Sequence, residues 1–159
     1  MPQDYQGHAA IKIGWDALHR DAVILSQKLR RQGAFKGIIA VARGGLVPAA
    51  IVARELNIHL VDTVCVTAYD DKVQRTGDAL ILKPVEGDGT DWLVIDDLVD
   101  SGATFRVLRR MLPRAHYATV YVKPDGADVV DTTVIPIEQD LWLVFPWDDD
   151  PANWRLQRG

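Results

Sequence analysis

The 159-residue chain is expected to fold as an α/β domain, a mainly parallel sheet covered by helices on both faces. Near-continuous apolar runs recur along it, as in KGIIAVA, LVDTVCVTA, WLVID and YATVYVK. Segments of helical period lie between several of them, and glycine or acidic clusters follow the runs. Strands buried on both faces lose the polar alternation of a half-exposed sheet, so this pattern favours parallel strands joined by helices.

The first helix is WDALHRDAVILSQKLRRQG, which places Trp15, Leu18, Ala22, Leu25 and Leu29 at helical spacing, ends in basic residues and stops at Gly33. KGIIAVA reads as a buried strand broken by RGGLV. Pro48 then opens a second helix, PAAIVAREL, at the position where proline costs least. LVDTVCVTA is the next strand, and WLVID the third, followed by a helix from about Thr104 to Leu112. YATVYVK is a fourth strand, and TTVIPI and LWLVFPW are further apolar pieces. No internal repeat or low-complexity linker divides the chain, so residues 1–159 are expected to form one domain.

Composition narrows the function classes. The 48% apolar and 25% charged content is that of a soluble globular protein, and no apolar run reaches the roughly eighteen residues of a membrane span. The start, MPQDYQGHAAIK, has no charged region followed by an apolar one, which predicts no secretory signal. The single cysteine, Cys65, forms no internal disulfide and reads as a small buried hydrophobe. A cytoplasmic protein is expected, with peripheral membrane association left open. The formal net charge of −4 argues against a general nucleic-acid binder, yet amides, arginines and a metal ion can still hold a small anion. His8, His19, His59 and His116 suggest no metal or nucleophile constellation.

In open parallel sheets ligands bind beyond the carboxyl ends of the strands. Arg43-Gly44-Gly45, the segment from Tyr69, Asp96 to Thr104, and Lys123 all follow strand ends, so one edge should gather them. Ser101, Gly102, Ala103 and Thr104 leave the first amides of a helix uncovered and add two hydroxyls, which suits a phosphate monoester; an ordinary helix cap is the alternative. Asp96 and Asp97 would repel that phosphate unless they serve other parts of the same ligand. Ribose hydroxyls donate to carboxylates, and Mg²⁺ takes carboxylate and phosphate oxygens together. Gly44 and Gly45 permit a positive φ and close approach of amides to an anion, and Arg43 is a fork donor to phosphate. A plain turn is the alternative there.

WLVIDDLVDSGAT, Trp92 to Thr104, resembles the phosphoribosyl-pyrophosphate (PRPP) motif of type I phosphoribosyltransferases: apolar residues, two acids, a spacer, then D-[ST]-G-x-T. VARGGLVPA, VDTVCVTAYDDKVQR, EGDG, VKPDG and QDLWLVFPW are similar, in order and spacing, to the bacterial branch of that family that acts on guanine and xanthine. The similarity runs from about Trp15 to Trp147. It implies a mainly parallel five-stranded sheet flanked by helices, a small hood from the terminal segments, a flexible lid over about 69–91, and a base-binding segment over about 123–147.

The resemblance also assigns roles. Ser101 to Thr104 would hold the 5-phosphate of PRPP, and Asp96 and Asp97 the ribose hydroxyls, with Asp97 also the ligand of Mg²⁺. Asp100 would face N7 of a purine, as base or as stabiliser of its protonated form. Arg43, Gly44 and Gly45 would form the pyrophosphate loop, with the Ala42–Arg43 peptide allowed to be cis, and Arg75 the lid arginine. Ala68 stands where many relatives have serine. Lys123, with three donors and no acceptor, would mark a 6-oxo group; Trp142 would stack on the base, and the backbone around Trp142 and Leu143 would read its 2-position. Without the family, a tryptophan such as Trp142 is more often core than a stacking platform, and a lone lysine after a strand such as Lys123 is usually solvated.

The implied activity is transfer of the phosphoribosyl group to N9 of a 6-oxopurine: guanine, xanthine and, as a third candidate, hypoxanthine. Mg²⁺ is the implied cofactor and a homotetramer the implied assembly. A hypoxanthine-preferring transferase and a PRPP-binding regulator are the rival readings. A regulator would need a nucleic-acid-binding module or basic surface, and the chain shows neither.

Overall fold

The computed structural model describes residues 3–5, 8–68 and 79–148. In chain order the elements are β1 (Gln3–Tyr5), β2 (His8–Lys12), α1 (Trp15–Leu29), β3 (Gly37–Ala42), α2 (Leu46–Leu56), β4 (Val61–Ala68), β5 (Ala79–Lys83), β6 (Trp92–Val99), α3 (Ala103–Met111), β7 (His116–Val122), a 3₁₀ turn (Pro124–Val129), β8 (Thr132–Pro136) and β9 (Trp142–Val144). The main sheet has the order β5-β4-β3-β6-β7-β8. Its five strands from β4 to β8 are mutually parallel, and β5 pairs antiparallel at the edge beside β4. The expected five parallel strands are therefore present, with a sixth drawn from the segment expected as a lid. The remainder of that lid over 69–78, including Tyr69 and Arg75, lies outside the described residues, as does the side chain of Ala68.

The apolar strands are explained by their two faces. In β3, Ile38 and Ala40 point into a core with Leu18, Leu25 and Leu29 of α1 and Ala49 and Val52 of α2. The alternate residues Ile39 and Val41 point the other way, toward Phe105 and Leu108 of α3. β6 repeats the division, with Leu93 and Ile95 on one side and Val94 on the other. A strand covered on both sides has no position left for a polar residue until it passes the helices.

Three boundaries beside the strand ends that gather the site differ from the sequence expectation. α2 begins at Leu46 rather than Pro48, so the proline sits in the first turn, where its missing N–H is not needed for the helix ladder. α3 begins at Ala103, after Gly102 in the left-handed conformation (φ +80°). β6 does not stop at Asp96. It runs to Val99, because Leu98 and Val99 still pair with Tyr121 and Val122 of β7.

A second, three-stranded sheet of order β1-β2-β9 forms the hood. β2 and β9 pair in parallel, with Ile11 opposite Leu143, so segments from the two ends of the chain meet there. The side chains of Trp15 and Trp147 meet beside it, with ring centroids 6.1 Å apart. The first dozen residues carry little of the family resemblance, yet 8–12 build β2: strand pairing uses the backbone and asks little of side-chain identity.

Candidate active site

The loops after β3, β6 and β7 open on one edge of the sheet, as the strand-end argument requires. A cleft of about 800 Å³ lies there, walled by Arg43, Gly44, Asp96, Asp97 and Thr104 from the sheet side and by Phe145, Trp147 and Asp148 from the chain after β9. A smaller cavity of about 130 Å³, lined by Asp100 to Thr104, shares Asp96 and Thr104 with it.

The loop after β3 is tightly folded: Gly45 N donates to Val41 O at 2.8 Å, Leu46 N donates to Arg43 O at 3.1 Å, and the Ala42–Arg43 peptide is cis. Neither Gly44 nor Gly45 has a positive φ, contrary to the expectation that either uses that freedom. What demands glycine is closeness. A Cβ on Gly44 would lie 2.5 Å from both carboxylate oxygens of Asp97, and one on Gly45 would lie 2.3 Å from Ile95 O. The Arg43–Gly45 loop and the second acid of β6 thus lie directly against each other.

Asp96 Oδ1 accepts from Asp97 N at 2.9 Å and Asp97 Oδ1 accepts from Leu98 N at 2.6 Å, so both side chains are folded back along the strand end. Burial, followed by the neighbouring Asp97 charge, pushes the Asp96 carboxyl well above the ordinary carboxylate range. Burial also raises Asp97, and the charge of Asp148 adds to the effect. Acids held where their charge is disfavoured gain most from an added cation or hydroxyl donor. Among the described residues no group of three or more His, Cys, Asp or Glu side chains could hold a metal ion alone. The two carboxylates that are present, Asp96 and Asp97, fit Mg²⁺, which ordinarily takes one or two carboxylates and completes its shell with substrate phosphates and water.

From Asp100 the chain turns through Gly102 into α3, and Ala103 N donates to Ser101 Oγ at 3.4 Å. Arg106, one turn into the helix, donates to Ser101 O and pairs with Asp128 of the 3₁₀ turn at 2.7 Å. That turn sits close: a Cβ on Gly126 would lie 2.5 Å from Val99 Cγ1 and 2.7 Å from Asp100 O.

Lys123 is brought to Asp100. Its Nζ donates to Asp100 Oδ2 at 3.1 Å, and its side chain is only 6% exposed. Gln139 Nε2 donates to the other oxygen, Oδ1, at 2.9 Å. Trp142 is 45% exposed at the start of β9, and Leu143 is buried in the main core, so its side chain is committed to packing and only its backbone is available to a ligand. Neither lines the larger cleft; that wall is Phe145 and Trp147, whose rings stack at 4.9 Å and 1°, with Asp148 accepting from Phe145 N at 2.7 Å. Sequence reasoning passed over Gln139, Phe145, Trp147 and Asp148, although all but Asp148 stand in the quoted QDLWLVFPW. An aromatic or amide in an apolar run carries no mark of which face it will take. His116, given no role, is engaged by Thr132 Oγ1 at 2.8 Å.

Residues 14–151 match the family described as the phosphoribosyl transferase domain. The chain is 55% identical over 138 residues to the xanthine-guanine phosphoribosyltransferase of Desulfotalea psychrophila, covering 87% of this chain and 86% of that protein. To the protein of the same name in Chromohalobacter salexigens it is 48% identical over 141 residues, covering 89% and 85%. Among solved structures, the purine phosphoribosyltransferase from Pyrococcus horikoshii superposes with a TM-score of 0.77 at 29% identity, covering 89% of this chain and 96% of that one. The motif, the sheet order, the arginine–glycine loop and these relatives agree: the chain belongs to the phosphoribosyl transferase domain family.

Proposed function

We propose that this enzyme transfers the 5-phosphoribosyl group of PRPP to N9 of a 6-oxopurine, guanine or xanthine first and hypoxanthine third, releasing pyrophosphate. The observation that carries the reading is the contact between Gly44 and Asp97: an anion loop and a diol- or metal-binding acid are packed into one cleft, and the phosphate-suited turn adjoins it. One ligand with a phosphate, a diol and a pyrophosphate uses all three. The names of the curated relatives support the choice of bases.

In this reading Ser101 to Thr104 hold the 5-phosphate through hydroxyls and the open amides of α3. Asp96 and Asp97 take the ribose hydroxyls, and Asp97 would also hold Mg²⁺, directly or through water; when bound, the ion would neutralise pyrophosphate charge. Arg43 and the amides of its loop hold the leaving pyrophosphate, joined by Arg75 of the lid over 69–91. N9 attacks the anomeric carbon as the carbon–oxygen bond to pyrophosphate breaks. Asp100 holds or accepts the proton at N7, and Lys123, with donors left over after serving Asp100, marks the 6-oxo group. Trp142 and the backbone of Leu143 complete the base site within the segment 123–147. The whole chain works as one domain, assembled as a homotetramer in the cytoplasm, a setting supported by its single cysteine. No helix of the described residues is long and apolar enough to cross a membrane.

The test is nucleotide formation from PRPP and Mg²⁺ with guanine, xanthine, hypoxanthine and adenine supplied separately. Turnover of the oxopurines and not of adenine is expected, and their ranking assigns the preference. PRPP binding without turnover of any base would replace the enzyme with the regulator.

A further inference from the structure

We infer that Gln139 is the positioning residue for Asp100, holding that carboxylate in the orientation from which it meets the purine; the inference rests on the oxopurine reading above. The Asp100 side chain is 52% exposed, so burial does not fix it. Two donors do. Lys123 Nζ takes Oδ2 and Gln139 Nε2 takes Oδ1, one from the end of β7 and the other from the loop between β8 and β9. A carboxylate bonded at both oxygens from separate elements resists rotation about its last side-chain bond, which is otherwise a broad torsion.

The amide is itself oriented. Gln139 Oε1 accepts from Asp125 N at 3.1 Å. A backbone N–H only donates, so the amide oxygen must face Asp125 and the NH₂ must face Asp100; reversing the amide loses both bonds. Asp125 belongs to the 3₁₀ turn that packs on the phosphate loop through Gly126. Gln139 also sits in the turn closed by Leu141 N to Glu138 O at 3.2 Å, which leads into Trp142. One amide therefore joins the acid, the turn after Lys123 and the strand carrying the aromatic of the base segment.

Steady-state kinetics with guanine and PRPP test this on Gln139→Glu and Gln139→Met, each alone and combined with Asp100→Asn. Glutamate keeps an acceptor for Asp125 N but turns an oxygen toward Asp100; methionine keeps the length and removes both bonds. Both single variants should lower kcat roughly tenfold while the KM for PRPP stays within about twofold. In the Asp100→Asn background neither should lower kcat further. Were Gln139 only a loop tie, Gln139→Glu would retain wild-type kcat. That result, or a full additional loss on top of Asp100→Asn, overturns the inference while leaving the oxopurine reading intact. A wild-type chain that makes no nucleotide from any oxopurine overturns that reading, and the inference falls with it.

Discussion

Replacing Gly44 by alanine should separate catalysis from stability. The added Cβ would sit 2.5 Å from both Asp97 oxygens, about 0.9 Å short of the 3.4 Å at which ordinary contact begins. The atoms in the way are the end of a side chain, so Asp97 gives before the backbone does, and its bond from Leu98 N is lost. That bond is worth about 1 kcal/mol, or a Tm decrease of roughly 2–4 °C in a chain of this size. A shift near 1 Å in a group that positions the reacting centre costs about 100-fold. The kcat/KM for PRPP should therefore fall about 100-fold, equivalent to about 2.7 kcal/mol of transition-state stabilisation. Gly45→Ala gives the opposite balance. Its Cβ meets Ile95 O at 2.3 Å and Val41 O at 2.8 Å, both backbone, so strands must separate. An overpacking cost of about 3 kcal/mol lowers Tm by roughly 6–12 °C. Thermal melts and PRPP titrations at fixed guanine and Mg²⁺ measure both effects. A Gly44→Ala enzyme with kcat/KM for PRPP within about threefold of wild type would refute the argument that Asp97 works from its place against the anion loop.

Asp100→Asn should keep PRPP affinity within severalfold and lower kcat by about 10²–10⁴, measured by equilibrium binding and initial rates; unchanged turnover removes Asp100 from the mechanism. Gly126→Ala should raise the KM for PRPP more than it lowers kcat, because its Cβ would press on Val99, Asp100 O and Gly102 N and displace the phosphate loop as a unit. His116 should make stability fall in mild acid. Burial chiefly, with the Arg109 charge, lowers its proton affinity below the ordinary 6.5, and Asp131 opposes this only in part. The unfolded chain then binds the proton more readily, so stability is full above pH 6.5 and declines as pH falls below it until the folded-state value is reached. The excess of the wild-type urea midpoint over that of His116→Gln should shrink between pH 7.5 and 5.5; the raised Asp96 carboxyl acts in the opposite sense but equally in both chains, and so cancels from that difference.

The parallel sheet was legible because β3, β4, β6 and β7 are short apolar runs, and covering both faces of a strand leaves no polar period to misread. The resemblance to the PRPP motif was legible because the residues that carry it are contiguous: Asp96, Asp97, Asp100 and the small residues after it lie within one strand end and one helix start. Lys123 could be nominated from its place after a strand, but not its bond to Asp100, which joins residues 23 positions apart. Pairings that close over distance belong to the tertiary structure. β5 adds an antiparallel edge from a polar segment, and β2 reaches β9 from the opposite end of the chain through backbone hydrogen bonds that few side chains announce. The same holds inside the cleft. A small-residue turn at a helix start, an acid pair and an arginine–glycine loop could be read from the sequence alone, because each is a local arrangement of backbone and neighbouring side chains. That Gly44 lies under Asp97, and that Gln139 rather than solvent takes the second oxygen of Asp100, follows from packing across the sheet edge, which selects the distant groups that meet.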